Sequence, residues 1–156
     1  MEHAVHADLA ELSFVLGTWR GTGEGEWPSG EPFGYGEELT FEHVGDAFIA
    51  YAQRSWSLDD ESPIHLERGF LRPGGRGRVE LVLANPLGIA EIAEGTVSAG
   101  VIEVATTTIA RTATARGVTE LMRRIEGDGA ELRYELHMAM RDIALTSHVR
   151  SRLARV

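Results

Sequence analysis

The stretch Gly17-Thr18-Trp19-Arg20-Gly21-Thr22-Gly23 decides the fold of this chain, because it is where the residue pattern changes period. Before it, Leu9, Leu12 and Leu16 fall at i, i+3 and i+7 with Asp8 and Glu11 on the other side, the pattern of a short helix within residues 1–16. A helix of two to three turns is marginal alone and needs a surface to lie on. After Gly17 the alternation is period two. Gly17, Gly21, Gly23 and Gly25 recur at even spacing, so one face of this first strand carries almost no side-chain volume. Glycine inside a strand marks a bend or a close backbone approach. Two readings stand: curvature of a barrel, or room for a flat cofactor against bare backbone.

Outward from that stretch, candidate strands follow at Gly17–Glu26, Phe33–His43, Phe48–Ser57, His65–Arg72, Arg78–Ala84, Ile89–Val97, Val101–Ala110, Thr119–Glu126, Leu132–Met140 and Leu145–Ala154. The separators are turn material, such as Trp27-Pro28-Ser29-Gly30, Pro73-Gly74-Gly75-Arg76-Gly77 and Gly127-Asp128-Gly129. No βαβ alternation appears, which disfavours a parallel sheet. A single open sheet of this size would leave two long edges, and closure removes them. The expectation is an all-β, ten-stranded antiparallel up-and-down β-barrel, one domain over residues 1–156, with the N-terminal helix capping one end. A two-sheet sandwich is the competitor.

At 156 residues the chain can bury a core without disulfide or structural metal. Cysteine is absent, which excludes thiolate catalysis, zinc fingers and iron–sulfur clusters. All 15 basic residues are arginine, so there is no lysine for a Schiff base or a phosphate loop. The net charge of −9 disfavours nucleic acid as a partner. No apolar run approaches the roughly 20 residues of a membrane span, and Met1-Glu2-His3-Ala4 lacks a basic signal-peptide start. The expected location is cytoplasmic, with no membrane partner.

Histidines are the remaining chemistry. In the clearest strand, Leu132, Tyr134, Leu136, Met138 and Met140 form the inward face, which turns His137 to solvent. His148 is ambiguous. Hydropathy puts Leu145, Ser147, Val149 and Leu153 inside and His148 outside. If Met140 opposes Thr146 across a loop at 141–145, however, Met138 opposes His148 and both face inward. His65 begins a strand after an acidic loop and either reaches inward or lies on the rim. His43 looks like a turn residue, and His3 and His6 belong to a frayed terminus. No H-x-H or H-E-x-x-H pattern supports a catalytic zinc, and no serine sits in a G-x-S-x-G context.

Taken together, these blocks resemble the nitrobindin family of β-barrel haem proteins, which are distantly similar to fatty-acid-binding proteins. The resemblance rests on the Gly-x-Trp-x-Gly-x-Gly signature at Gly17–Gly23, on Phe33–Gly45, on Pro63–Arg72, and on Leu145-Thr146-Ser147-His148. It implies a barrel binding ferric haem b at a solvent-reachable mouth, with His148 as the axial iron ligand and catalytic residue. Met138 would lie on the proximal side, with Ile64 and His65 bordering the distal face. It also implies nitric oxide binding and isomerisation of peroxynitrite to nitrate, with these small molecules as partners and a homodimer left open. The alternative is a non-catalytic, lipocalin-like carrier of an apolar ligand, for which a cavity lined by Leu136, Met138 and Met140 suffices.

Overall fold

The computed structural model describes residues 3–156, which form a short helix and ten strands. The strands are β1 (Gly17–Glu26), β2 (Pro32–His43), β3 (Ile49–Ser57), β4 (Pro63–Pro73), β5 (Arg78–Asn85), β6 (Ile89–Ser98), β7 (Val101–Arg111), β8 (Val118–Gly127), β9 (Glu131–Met140) and β10 (Ile143–Arg155). Each pairs antiparallel with its chain neighbours, and β1 pairs with β10, so the sheet closes into a barrel rather than a sandwich. All ten expected strands are present, with ends shifted by at most two residues.

The helix, Ala7–Val15, is wound as 3₁₀. Its buried residues are Leu9, Leu12 and Val15, a spacing of three that suits about 3.0 residues per turn; Leu16, expected on this face from α-helical spacing, is only half-buried. His6 is not frayed: it is the N-cap, and its ring accepts a hydrogen bond from the Asp8 amide at 3.2 Å. The helix closes one end of the barrel. Trp19, wholly buried, donates from Nε1 to the Val15 carbonyl at 2.7 Å, and the Arg155 guanidinium stacks 4.1 Å from the Trp19 ring centroid. His43 ends β2 rather than sitting in the following turn.

The glycine face of β1 is filled. In register, Gly25, Gly23 and Gly21 oppose Phe33, Tyr35 and Glu37 of β2. A Cβ at Gly23 would lie 2.6 Å from the Tyr35 ring and 2.4 Å from the Arg150 carbonyl; at Gly25 it would lie 2.8 Å from both Phe33 and Val149. Aromatic side chains of β2 lie over the bare backbone and leave no slot there for a flat cofactor. The reading of the glycines as room for a flat cofactor is therefore corrected: they allow close packing where the barrel closes.

The interior is layered. Toward the helix sits an apolar plug that includes Leu9, Trp19, Leu39, Phe41, Ile102 and Leu132. Toward the other end is a smaller cluster of Ile89, Val118 and Leu121, against which Leu136 and Met138 pack. Between them lies a belt of buried polar residues. Gly23→Ala is expected to destabilise the protein by about 1–3 kcal/mol through forced displacement of Tyr35 or of the β10 backbone, measurable by urea denaturation. A stability unchanged from wild type would show that the seam has slack.

Candidate functional site

A cavity of about 470 Å³ opens at the end of the barrel away from the helix. Its lining includes Trp27, Phe33, Ile64, His65, Leu136, Met138, Met140, His148 and Val149. Trp27 and Phe33 stack at 4.2 Å, and Phe33 lies 6.2 Å from His148 between ring centroids. All four residues singled out from the sequence, His148, Met138, Ile64 and His65, therefore line one space.

Two β-bulges bring them there. Between β9 and β10, Thr146 opposes Met138 and Ser147 opposes His137, but Val149 opposes Leu136, so His148 is an extra residue. The expected pairing of Met138 with His148 is corrected accordingly. The hairpin is tighter than assumed, with Ile143 opposite Met140, and a second irregularity follows before Thr146. A bulge places two successive residues against one partner and breaks the alternation of faces. His148 and Val149 consequently both line the cavity, and both arguments about this strand hold in part. The same device operates across the mouth. Ser55 opposes His65 and Trp56 opposes Pro63, which leaves Ile64 extra, and both Ile64 and His65 reach the cavity. His137 is on the outer face, as expected, and half-buried.

His148 is chemically committed. Its Nδ1 lies 2.8 Å from the Glu26 carbonyl oxygen, which can only accept, so Nδ1 carries the proton and Nε2 keeps the lone pair. Burial lowers the imidazole pKa below its ordinary value; the Glu26 bond opposes this and nearby His65 adds to it. A neutral imidazole held through Nδ1–H to a backbone carbonyl is the arrangement found in metal-ligating histidines.

Beneath the mouth lies the polar belt, which sequence reading missed. Arg123 is fully buried and donates to Glu91 and, at 2.9 Å, to Glu67. The Tyr51 hydroxyl donates to the other Glu67 oxygen at 3.1 Å, and His65 Nε2 lies 3.3 Å from Glu67 Oε1. Burial alone would raise the Glu67 pKa, but Arg123 and the His65 hydrogen bond outweigh it and hold the carboxyl well below the usual range. Glu37, which accepts from Gln53 at 3.1 Å and from Ser151, has no such cation, and burial pushes its pKa up to about 7. A signal for these residues was present. Glu37 is in phase with Leu39 and Phe41, Gln53 with Ile49 and Tyr51, and Arg123 with Leu121 and Ile125, so each sits at an inward position of its own strand.

Among the described residues no group of three or more histidine, aspartate or glutamate side chains could hold a bare metal ion, and no helix is long and apolar enough to cross a membrane. Residues 8–155 match the family of THAP4-like, heme-binding beta-barrel domains. The chain is 48% identical over 155 residues to peroxynitrite isomerase 2 of Mycobacterium marinum, covering 97% of this chain and 96% of that one. It is 42% identical over 156 residues to the peroxynitrite isomerase of Nocardia farcinica, covering 97% and 93%. The crystal structure of Rv2717c from M. tuberculosis superimposes with a TM-score of 0.90 at 41% identity, covering 98% of this chain and 99% of that chain.

Two stability predictions come from the belt. Arg123→Met leaves Glu67 and Glu91 buried without their cation and is expected to cost about 3–5 kcal/mol, read from chemical denaturation. Glu37 has a folded pKa near 7, above its ordinary 4.5. Its protonated form therefore favours the folded state, and stability falls as pH rises from about 4.5 to 7, by up to about 3 kcal/mol. Glu67, held low, acts oppositely and loses its contribution as pH falls below the ordinary glutamate value. Glu37→Gln is expected to abolish the decline between pH 4.5 and 7 while preserving the acid limb; an unaltered profile would remove Glu37 as its source.

Proposed function

We propose that this chain, which belongs to the family of THAP4-like, heme-binding β-barrel domains, holds ferric haem b at its barrel mouth with His148 as the axial ligand, binds nitric oxide there and isomerises peroxynitrite to nitrate. The observation that carries this reading is the His148–Glu26 contact at 2.8 Å, which leaves Nε2 of a neutral imidazole free at an apolar cavity. A site where His148 offers a single imidazole nitrogen, with no group of three or more metal-ligating side chains among the described residues, suits a metal that arrives with its own ligands, as haem iron does. Ferric haem, when bound, supplies a Lewis-acid iron with an open axial position.

The chain's own groups define the rest of the site. Leu136, Met138, Met140 and Val149 give the apolar wall expected for a porphyrin, with Met138 on the side of His148. Ile64 and His65 come from the opposing bulge and are assigned to the distal side. The Glu67 carboxylate only accepts, so His65 keeps its Nε2 proton toward Glu67 and its Nδ1 is the nitrogen left for other contacts. Arg116 lines the lip of the cavity and is exposed, which suits it to a haem propionate. Arg124 is instead paired with Glu103 and Glu126, and Arg150 lies 3.9 Å from Glu24, both outside the cavity. Isomerisation conserves every atom of the substrate, so the protein has to supply position and exclusion of water rather than a co-reactant. The names of the two relatives and the match of residues 8–155 support this activity.

The second reading, a carrier of an apolar ligand, draws on the same apolar wall. Hemin titration separates the two. Wild type is expected to develop a Soret band that His148→Ala lacks, together with faster peroxynitrite decay that the variant loses. Identical spectra and rates in the two proteins would exclude His148 as the ligand. Arg116→Glu is expected to weaken hemin binding about tenfold, the size of one charge-assisted contact, with the Soret position unchanged.

A further inference from the structure

Of the three tryptophans in the chain, two are held by the fold. Trp19 is wholly buried in the plug, and Trp56 packs on the Gly36 backbone with the Arg54 guanidinium 5.6 Å from its ring centroid. Trp27 has no such place. It is 40% exposed, on the turn between β1 and β2, and it lines the mouth of the cavity. Its indole stacks on Phe33 at 4.2 Å with the two rings 23° apart, and Phe33 lies 6.2 Å from the His148 ring. The pair forms a flat apolar leaf beside the histidine.

A single exposed apolar side chain needs no explanation by itself. Position singles this one out. Trp27 also lines a smaller pocket of about 100 Å³ with Met138, Met140, Ile143 and His148, so it stands between the main cavity and the gap that parts the β1–β2 turn from the β9–β10 hairpin. The turn is closed on itself. The Trp27 amide donates to the Glu31 carbonyl at 2.9 Å, and the Gly30 amide donates to the Trp27 carbonyl at 2.7 Å. A Cβ on Gly30 would meet nothing within 4 Å, and the β1–β10 ladder stops at Gly25 and Val149. A segment with so little packed against it opens at low cost.

We propose that Trp27 retains a flat aromatic ligand in the mouth and selects it over a flexible acyl chain, release requiring the indole to swing away from Phe33. A planar macrocycle offers the indole a π face, whereas an alkyl chain offers area without the stacking contribution. The assignment rests on the haem reading of the mouth and adds to it the residue that sets residence time and ligand shape.

The test uses the full haem-free chain and metal-free protoporphyrin IX, which is fluorescent and has no iron to ligate. Porphyrin-loaded protein is mixed with excess apomyoglobin, and the rate of porphyrin transfer is read. Trp27→Ala is expected to release porphyrin about tenfold faster than wild type, the size of one lost aromatic stack with the area it covers. Trp27→Phe keeps a ring on Phe33 and is expected to stay within about threefold of wild type. Affinity for cis-parinarate, a fluorescent fatty acid, is expected to be the same in wild type and Trp27→Ala. Thermal melts verify folding, which the position of Trp27 outside the plug favours. Trp27→Ala releasing porphyrin at the wild-type rate, or weakening the fatty acid in the same proportion, would overturn the proposal. So would Trp27→Phe as fast as Trp27→Ala, or a wild type that takes up no porphyrin. Hemin that fails to distinguish His148→Ala from wild type counts instead against the axial ligand and leaves the Trp27 comparison standing.

Discussion

The seam between β1 and β10 is the constraint on which the rest of the molecule depends. It turns ten strands into a barrel without edges, and it runs from Trp19 opposite Arg155 to Gly25 opposite Val149. The seam closes only because β1 is bare on its inner face. A Cβ at Gly21 would fall 2.0 Å from the Arg152 carbonyl, and at Gly25 2.5 Å from the His148 carbonyl. The volume that the glycines give up is taken by Phe33 and Tyr35, which become one wall of the cavity. Closure also carries the last residue of β1 to the site: the Glu26 carbonyl reaches His148 Nδ1 and fixes its tautomer. The glycines hold no ligand, but they determine which nitrogen of His148 is free.

The polar belt is a second constraint, of a different kind. A buried ion pair is weak support for stability, because desolvating the charges offsets most of their attraction. Here the belt separates an apolar plug at the helical end from an open mouth at the other. The plug supplies the burial that folds the chain, with Leu9, Leu12 and Val15 closing it from outside the barrel. The mouth is thereby relieved of filling the barrel, and its half-buried Leu136, Met138 and Val149 can face a ligand instead. Glu67 joins the two regions, since the carboxylate that neutralises Arg123 also holds His65.

Strand number, order and closure were legible because they depend on period-two alternation and turn residues, and both are local. The four residues singled out through a resemblance spread over four blocks, His148, Met138, Ile64 and His65, do line one cavity. The register of β10 was not legible. A bulge inserts one residue without any compositional mark, and counting back from an assumed hairpin displaced the Met138 pairing by two positions. The helix was read with the wrong period, because Leu16 fits 3.6 residues per turn and Val15 fits 3.0. The belt was overlooked for another reason: inward faces were identified by their apolar members, whereas Glu37, Gln53, Glu67 and Arg123 sit in phase with those members and are paid for by one another rather than by exposure.

The two bulges explain why this mouth can be both a wall and a chemical site. In a regular strand, alternate side chains leave the barrel, so one strand offers the rim a single inward residue per two positions. At Ile64-His65 and His148-Val149, consecutive residues both reach the cavity. Each strand thus contributes an imidazole and an aliphatic surface at the same height. The imidazole is anchored from behind in both cases, His148 by a backbone carbonyl and His65 by a buried carboxylate, so neither is free to turn away. Removing either bulge by deleting one residue would send a histidine or its apolar neighbour to solvent. The chemistry of the mouth is therefore set as much by two extra backbone residues as by the side chains they carry.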